Sequence, residues 1–138
     1  MPAPLKRIPA GLVAEILEHA RAEQPNECCG MIASADGVAV KVFPAENAAA
    51  SPLRYEIAPQ EQYRIEMAID DQGWDLGGIY HSHTRSDPDP SETDRNLAFH
   101  PDSVYLIVGL KNDPPADIKG WWIRDRGGIP QLADLELE

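Results

Sequence analysis

The segment SVYLIVGL, residues 103–110, constrains the fold more than any other part of the chain. It is a continuous apolar run rich in β-branched residues, which is typical of a central strand buried on both faces. A second apolar run, WDLGGIY, residues 74–80, is followed at once by His81-Ser82-His83. The sequence therefore predicts a sheet with buried inner strands, one of which carries two histidines to an edge of that sheet.

Three segments have the pattern of helices. Residues 10–23 place apolar side chains at helical spacing with charges between them, which predicts an amphipathic first helix. The segment of residues 59–73 predicts a second helix, because Pro59 lies near the start of the helix and Gly73 lies just beyond its end. Residues 91–100 predict a third, short helix with Ser91 as its cap.

The other apolar segments predict strands. CCGMIAS and VAVKVFPA lie on either side of an Asp-Gly pair, which predicts a hairpin with a tight turn. Further strands are predicted at LRYEIAP, DIKGWWIRD and GIPQLADLEL. The sequence has neither an internal repeat nor a low-complexity tract. We therefore predict one α/β domain over residues 1–138, with a mixed, mostly antiparallel sheet flanked by helices.

Composition excludes some classes of partner. A hydrophobic fraction of 43% in 138 residues suits a globular domain with a core of its own. A formal net charge of -11, without a Lys/Arg cluster, argues against binding to nucleic acid. No stretch reaches the roughly 20 apolar residues of a membrane span, and the start MPAPLKRIPAG lacks the apolar run of a signal peptide. We therefore expect a cytoplasmic protein without a membrane partner.

The two histidines have the spacing of metal ligands. Residues two apart on a strand point to the same face, so His81 and His83 present their imidazoles side by side. Two imidazoles suit zinc, and a catalytic zinc site typically adds a third protein ligand and an open position. The third ligand we predict is Asp94, in the first turn of the third helix. Asp87 and Asp89, in the loop before that helix, compete for this role.

Part of this pattern has an explanation that needs no metal. Ser91 and Asp94 fit a capping box, in which the serine accepts from a helix amide and the acid reaches back to the serine's own amide. Such a box accounts for both residues. It does not explain why two histidines end a buried strand directly before it.

A hydrolytic zinc site also needs a base for the proton of the attacking water. Glu27, at the entry to the strand CCGMIAS, is the candidate. The residues alone leave other glutamates open, namely Glu15, Glu18, Glu23, Glu46 and Glu56.

Taken together, these residues resemble the signature of the JAMM (MPN+) metalloprotease family. His81-x-His83, seven residues, Ser91, two residues and Asp94 match that signature without a gap. Glu27 followed shortly by a glycine also matches the family's pattern. The order of predicted elements is similar to the family's order over nearly the whole chain.

The resemblance implies a JAMM/MPN domain that acts as a zinc metallopeptidase. It implies that His81, His83 and Asp94 bind Zn²⁺, with a water in the fourth position. It further implies that Glu27 holds this water and moves its proton to the leaving amine. Ser91 would help to stabilise the oxyanion of the tetrahedral intermediate.

The resemblance also implies a class of substrate. The stand-alone size is similar to prokaryotic members that act on ubiquitin-like sulfur-carrier proteins. Within these, NECCGMI and YHSHTRSDPDPSETD are similar to a subgroup that releases cysteine from the C-terminal Gly-Gly end of a carrier protein in cysteine biosynthesis. An isopeptidase of the desampylase type, which removes small modifiers from lysines, is an alternative. So are a non-catalytic MPN scaffold and a non-haem iron oxygenase. A dimer is compatible with the sequence.

Two cysteines and two histidines are expected to lie outside the site. Cys28 and Cys29 are neighbours, which rarely form a disulfide, and we expect small buried side chains at a strand start. His19, in the first helix, and His100, at the end of the third, are expected at the surface or as helix caps.

Aromatic and basic residues give two further expectations. Trp121 and Trp122 point to opposite strand faces, so one is expected in the core and the other exposed. Arg54 and Arg85 are candidates to meet a substrate carboxylate, and Arg85 lies in the loop of the predicted site.

Overall fold

The computed structural model describes residues 3–138, which form three helices and one eight-stranded sheet. The helices are α1 (Ala10–Ala22), α2 (Pro59–Asp71) and α3 (Glu92–Asn96). The strands are β1 (Arg7–Ile8), β2 (Cys29–Ala35), β3 (Val38–Ala45), β4 (Asp75–His83), β5 (Val104–Gly109), β6 (Asp117–Trp122), β7 (Gln131–Leu132) and β8 (Glu136–Leu137). No helix in this range is long and apolar enough to cross a membrane. The first two residues of the predicted domain lie outside the described residues, and its extent over 1–138 stays a prediction.

The sheet is mixed, as predicted. In the order β7-β6-β5-β4-β2-β3-β1-β8, the parallel pairs are β4 with β5 and β1 with both β3 and β8. The antiparallel pairs are β2 with β3 and β4, β5 with β6, and β6 with β7. The inner strand β5 is buried along its whole length, which confirms that SVYLIVGL forms a central strand.

Helices cover both faces of the sheet. On one face α1 packs against a buried cluster that includes Tyr80, and on the other α2 packs against a cluster that includes Ile79. Each large apolar side chain buried in this way stabilises the fold by about 1.5–3 kcal/mol. Because strand residues alternate between faces, His81 and His83 follow Ile79 onto the α2 side.

The hairpin of β2 and β3 forms with the predicted turn. Asp36 and Gly37 connect the strands, with φ angles of 52° and 82°. Positive φ at both turn residues gives the twist that suits a two-residue hairpin loop. At Gly37 an added Cβ would also lie 2.9 Å from the carbonyl oxygen of Pro4.

The strand predicted at LRYEIAP is wrong, because residues 53–58 are irregular. The Asn47 side chain bonds this backbone in place of a ladder partner. Its Nδ2 donates to the Arg54 carbonyl oxygen at 3.1 Å, and its Oδ1 accepts from the Glu56 amide at 3.1 Å. Tyr55 and Ile57 nevertheless pack against the core on the α2 side. The alternation of apolar and polar residues in this segment therefore indicated which side chains pack inward. It did not indicate that the segment pairs with a strand.

Two predicted boundaries also differ. The helix predicted over residues 91–100 ends at Asn96, and the Arg95 carbonyl oxygen accepts from the Gly127 amide at 2.7 Å. The strand predicted at GIPQLADLEL is split into β7 and β8, which lie at opposite ends of the sheet. The chain crosses the sheet between them, bonded by the Ala133 amide to the Gly120 carbonyl oxygen at 2.8 Å.

The prediction for the two tryptophans is wrong, since both are half-buried. Trp122 packs against the α1-side core. Trp121, on the opposite face of β6, donates a hydrogen bond from its indole nitrogen to the Pro88 carbonyl oxygen at 2.9 Å. Trp121 is therefore neither a core residue nor fully exposed, because a loop covers its side chain.

Candidate metal centre and active site

The three residues predicted as metal ligands converge at one point. The Nε2 atoms of His81 and His83 are 3.2 Å apart. Asp94 Oδ2 lies 3.2 Å from Nε2 of His81 and 2.9 Å from Nε2 of His83. In the part of the chain that the structure describes, this is the one group of three or more such side chains close enough to hold a metal ion.

Strand β4 delivers the two histidines from the middle of the sheet. His81 is paired with Cys29 of β2 and Ile107 of β5, and His83 is paired with Gly109. Both imidazoles are therefore almost fully buried, with relative exposures of 1% and 4%. Ser82 points to the other face, where its Oγ accepts from the Cys28 amide at 2.8 Å.

Asp94 is placed by the capping box of α3. The Asp94 amide donates to Ser91 Oγ at 3.0 Å, and the Ser91 amide donates to Asp94 Oδ2 at 3.0 Å. The same carboxylate oxygen faces both histidines. The capping function and the ligand position are thus two properties of one arrangement, not alternatives.

The surroundings keep Asp94 ionised. Burial by itself would raise the pKa of this carboxyl. The imidazoles of His81 and His83 and the hydrogen bond from the Ser91 backbone outweigh burial, and the pKa lies well below its usual range. Asp94 therefore presents a carboxylate to the cluster at any ordinary pH.

The loop of residues 84–90 orients His83. The Asp87 carbonyl oxygen lies 2.8 Å from Nδ1 of His83, and since a carbonyl only accepts, Nδ1 carries the hydrogen. The side chains of the competing ligands lie elsewhere. Asp87 offers its backbone to the site, and the Asp89 carboxylate lies 3.5 Å from Lys119 Nζ.

A cation fits among the three ligand atoms. With hydrogen on Nδ1, a neutral His83 ring presents a lone pair at Nε2 to Asp94 and to His81, whereas a protonated ring donates from Nε2 to Asp94. Burial lowers the pKa of His83, but its contacts with Asp94 and the Asp87 backbone outweigh burial and raise it, which favours the protonated ring when no metal is bound. Two ring nitrogens and a carboxylate oxygen within 3.2 Å of one another repel unless a proton or metal ion lies among them. Ligands held about 2.0–2.1 Å from a tetrahedral zinc lie about 3.3 Å apart, so the spacing also suits zinc.

Glu27 lies beside this cluster with an unpaired carboxylate oxygen. Its residue exposure is 3%, and Oε1 is buried without a hydrogen-bond partner. Its backbone is fixed, because the amide donates to the Ser51 carbonyl oxygen at 2.9 Å and its carbonyl accepts from Asn47 Nδ2 at 3.0 Å. Burial raises its pKa to about 8, while the charge of His83 lowers it and that of Asp94 raises it. Such a group takes up and releases a proton near neutral pH.

Tyr55 is a site residue that the sequence analysis missed. Its ring stacks on the His81 ring, with centroids 4.4 Å apart and an angle of 23° between the planes. It also lines a cavity of about 580 Å³ that shares its wall with the site. The other lining side chains are mainly apolar, and include Ile57, Leu97, Phe99 and Tyr105. The alternation in LRYEIAP was the signal that Tyr55 faces inward.

The cysteines are buried and free, as predicted. Burial raises the pKa of both thiols to about 12, so neither is a reactive thiolate. Cys28 and Cys29 therefore act as small core side chains.

One histidine outside the site differs from the prediction. The His19 side chain is only 14% exposed, and its Nδ1 lies 2.7 Å from the buried Tyr80 hydroxyl. A surface position for His19 is therefore wrong, although it does lie apart from the metal cluster. His100 is partly exposed, 3.7 Å from the Glu66 carboxylate.

The two arginines considered for substrate binding differ in position. Arg54 lines the cavity beside Tyr55. Arg85 is exposed in the loop after β4.

Sequence comparison assigns the family. Residues 9–124 match the family model described as prokaryotic homologs of the JAB domain. The CysO-cysteine peptidase of Mycobacterium tuberculosis H37Rv is 34% identical over 120 residues, covering 86% of this chain and 82% of that protein. The desampylase of Haloferax volcanii is 44% identical over 99 residues, covering 67% of this chain and 71% of that protein. The chain belongs to the prokaryotic JAB-domain family.

Solved structures share the fold. A protein from Desulfitobacterium hafniense superposes with a TM-score of 0.85 at 28% identity, over 97% of this chain and 93% of that one. A JAB1/MPN domain protein from Archaeoglobus fulgidus superposes with a TM-score of 0.65 at 21% identity, over 97% of this chain and 98% of that one. The second likeness concerns the fold alone. With the family match, it confirms the JAMM/MPN fold expected from the sequence.

Proposed function

We propose that the protein is a zinc-dependent peptidase that cleaves after the C-terminal Gly-Gly of a small ubiquitin-like or sulfur-carrier protein. The observation that carries this proposal is the buried, unpaired carboxylate of Glu27 beside the cluster of His81, His83 and Asp94. A structural metal site needs no such group, whereas a hydrolytic one needs a base close to the metal. The cytoplasmic location expected from the sequence is part of this proposal.

His81, His83 and Asp94 would hold the zinc ion. Two neutral imidazoles and one carboxylate are a ligand set that leaves a fourth position open. When bound, zinc lowers the pKa of a coordinated water and polarises the scissile carbonyl. The Asp87 carbonyl keeps the hydrogen of His83 on Nδ1, and so keeps Nε2 available as a ligand.

Glu27 would carry the proton. Its carboxylate accepts a proton from the attacking water at Oε1 and later gives it to the departing amine. Burial raises the pKa of Glu27 to about 8 in the metal-free protein, and the charge of a bound zinc ion would lower it from there, so that a carboxylate is present to accept the proton near neutral pH.

Ser91 would stabilise the developing oxyanion. Its Oγ accepts from the Asp94 amide, which uses one lone pair and leaves the hydroxyl hydrogen free to donate. The residue is exposed, so this hydrogen is accessible to a substrate carbonyl. A fixed donor aimed at developing negative charge is a common source of rate acceleration.

The class of substrate follows from the relatives and from the cavity beside Tyr55. The relatives are named CysO-cysteine peptidase and desampylase. The cavity of about 580 Å³ reaches the ring that stacks on His81, so an extended apolar tail can lie in it with its end at the site. Arg85, exposed in the adjoining loop, would meet the free carboxylate of a terminal cysteine.

A mass measurement tests the reaction. The substrate is a Gly-Gly-ending carrier protein of the source organism, extended by one cysteine. Zinc-loaded protein should release the cysteine, chelation should abolish release, and added zinc should restore it. Glu27→Gln, loaded with zinc, is the matched control and should be almost inactive. Release that persists after complete removal of metal would contradict the proposal.

A lysine-linked protein is the second candidate for the leaving group, because desampylases are among the relatives. The same carrier, joined through its Gly-Gly to a lysine side chain, distinguishes the two. Faster cleavage of the cysteine adduct would favour a single cysteine as the leaving group. A higher KM for this adduct in Arg85→Ala would support the same conclusion. Equal KM values for wild type and Arg85→Ala would remove Arg85 from substrate recognition.

A further inference from the structure

The loop of residues 84–90 folds back across the sheet face that bears the metal ligands. Six of its seven residues are exposed or half-buried, but Pro88, near its centre, is buried. The loop leaves β4 after His83, crosses β5 and reaches β6. Besides the hydrogen bond between the Asp87 carbonyl and His83, two contacts with β5 and β6 hold the loop there.

The crossing over β5 depends on Gly109. This residue is paired with His83 on one side and with Asp117 on the other. A Cβ added to Gly109 would lie 2.8 Å from Pro88 Cδ and 3.2 Å from Pro88 N. Real Cβ atoms do not come so close to a ring carbon and a backbone nitrogen together. The absence of a side chain on β5 therefore lets the loop lie directly on the sheet.

The attachment to β6 depends on Trp121. Its Nε1 donates to the Pro88 carbonyl oxygen at 2.9 Å. Lys119, on the same face of β6, lies 3.5 Å from the Asp89 carboxylate, and the two side chains are 40% and 57% exposed. An exposed ion pair contributes little, so the indole hydrogen bond is the stronger of the two attachments.

These contacts act on the residue just before Pro88. The Asp87 carbonyl, which accepts from His83 Nδ1, belongs to the peptide group that ends at Pro88 N. Fixing the Pro88 ring on Gly109 and its carbonyl on Trp121 therefore fixes the carbonyl that orients His83. Such hydrogen bonds to a ligating histidine fix its tautomer and ring orientation, and their loss typically weakens metal binding about 10–100-fold.

We propose that Trp121 and Gly109 are positioning residues, which set the metal affinity of the site through Pro88 and the Asp87 carbonyl. The indole of Trp121 bonds to the loop, and Gly109 is a backbone neighbour of His83 in the sheet, so both would act through the loop. The inference rests on the metal-binding part of the proposed function, and it does not depend on which substrate is cleaved.

Metal affinity tests the proposal without any substrate. The dissociation constant for zinc is measured on the full chain by competition with a chromophoric chelator. Trp121→Phe keeps a ring on β6 but removes the N–H donor, and should weaken zinc binding about tenfold. Trp122→Phe is the matched control, since it removes the same group from the next residue, whose ring packs on the other face. It should change the constant less than about twofold, as should Lys119→Met.

Gly109→Ala tests the contact between the same loop and β5. The added methyl should displace Pro88 and weaken zinc binding to a similar or greater extent than Trp121→Phe. With cobalt in place of zinc, both variants should change the visible absorption spectrum of the site, whereas Trp122→Phe should leave it as in wild type. A general loss of folding stability does not produce such a selective spectral change, and thermal unfolding of the metal-free proteins measures that loss separately.

The outcomes are distinct. Weaker zinc binding and an altered cobalt spectrum in Trp121→Phe and Gly109→Ala, with normal controls, support the positioning role. Wild-type affinity in both variants would overturn it and leave the proposed function standing. Failure of the wild-type chain to bind zinc would overturn the proposed function and this inference with it.

Discussion

The two halves of the metal centre are built in different ways. The strand half, β4 with His81 and His83, lies in the middle of the sheet and is almost wholly buried. The loop half, residues 84–96, carries Asp94 and Ser91 on an exposed loop and a five-residue helix. The packing that stabilises the sheet also fixes the strand half, whether or not a metal is bound. The loop half is held by a few polar contacts.

The two histidines show the same contrast at smaller scale. His81 is held by stacking on Tyr55, and its Nδ1 is buried without a hydrogen-bond partner. His83 is held by a hydrogen bond from Nδ1 to the loop carbonyl of Asp87. Changes in the strand half should therefore cost fold and function together, whereas changes in the loop half should cost metal binding or activity with little loss of fold.

The largest expected effect separates function from fold in the loop half. Asp94→Asn keeps an oxygen for the Ser91 amide but removes the negative charge from the ligand set. Zinc binding should weaken more than about 100-fold, beyond the usual effect of a residue that only supports a ligand. The melting temperature of the metal-free protein should stay within a few degrees of wild type. Chelator competition and calorimetry measure the two quantities, with the exposed Glu92→Gln as control.

The next largest effect is a loss of folding stability caused by a change next to the strand half. An added Cβ at Gly30, which lies on β2 next to β4, would overlap the ring of the fully buried Tyr80. Gly30→Ala should lower the free energy of unfolding by about 3 kcal/mol, because the ring has no room to move. Gly11→Ala, where a Cβ meets nothing within 4 Å, is the control and should not destabilise. Equal stability of the two variants in urea would contradict the contrast between the halves.

A smaller effect concerns pH and the metal-free protein. The pKa of Glu27 is 4.5 in the unfolded chain and is raised by burial to about 8 in the fold. Wild type therefore loses stability as pH rises from 4.5 to 8, since the fold disfavours the carboxylate. Glu27→Gln should be the more stable protein by about 2 kcal/mol at pH 7, and the difference should shrink towards pH 5. Urea unfolding of both metal-free proteins across this range measures the difference, and a constant difference would contradict the raised pKa.

The smallest effect is on the cap of the loop half. Ser91→Ala removes the side-chain acceptor of the Asp94 amide and should cost about 1 kcal/mol of stability. Ser91→Thr, which keeps the hydroxyl, should recover most of it. If zinc affinity also falls in the alanine variant and recovers in the threonine variant, the cap places the ligand as described. Equal zinc affinity in all three proteins would show that Asp94 needs no cap.

The features that the sequence predicted well depend on local chemistry. The side-by-side histidines follow from the two-residue period of a strand, and the Ser91–Asp94 contact follows from helix capping. Both arrangements are determined within a few residues. The choice of Glu27 over other glutamates came from the family resemblance, and its catalytic role remains a proposal.

The features that the sequence missed depend on contacts between distant residues. Tyr55 stacks on His81 because Asn47 holds an irregular segment against the sheet, although the local pattern is that of a strand. Trp121 is covered because a loop crosses a glycine on the neighbouring strand, and neither residue indicates this alone. Alternation of apolar residues predicts which side chains face inward. It does not predict which distant segment those side chains contact.

A parallel measurement on wild type and Glu27→Gln separates zinc binding from proton transfer. Metal-free samples of both are titrated with zinc by calorimetry, and the same samples are then assayed on the carrier–cysteine adduct. Both proteins should bind one zinc ion per chain, and turnover should be at least about 100-fold lower in the variant. Equal turnover in the two zinc-loaded proteins would contradict the assignment of Glu27 as the proton carrier. Absence of zinc binding in wild type would contradict the metal centre itself.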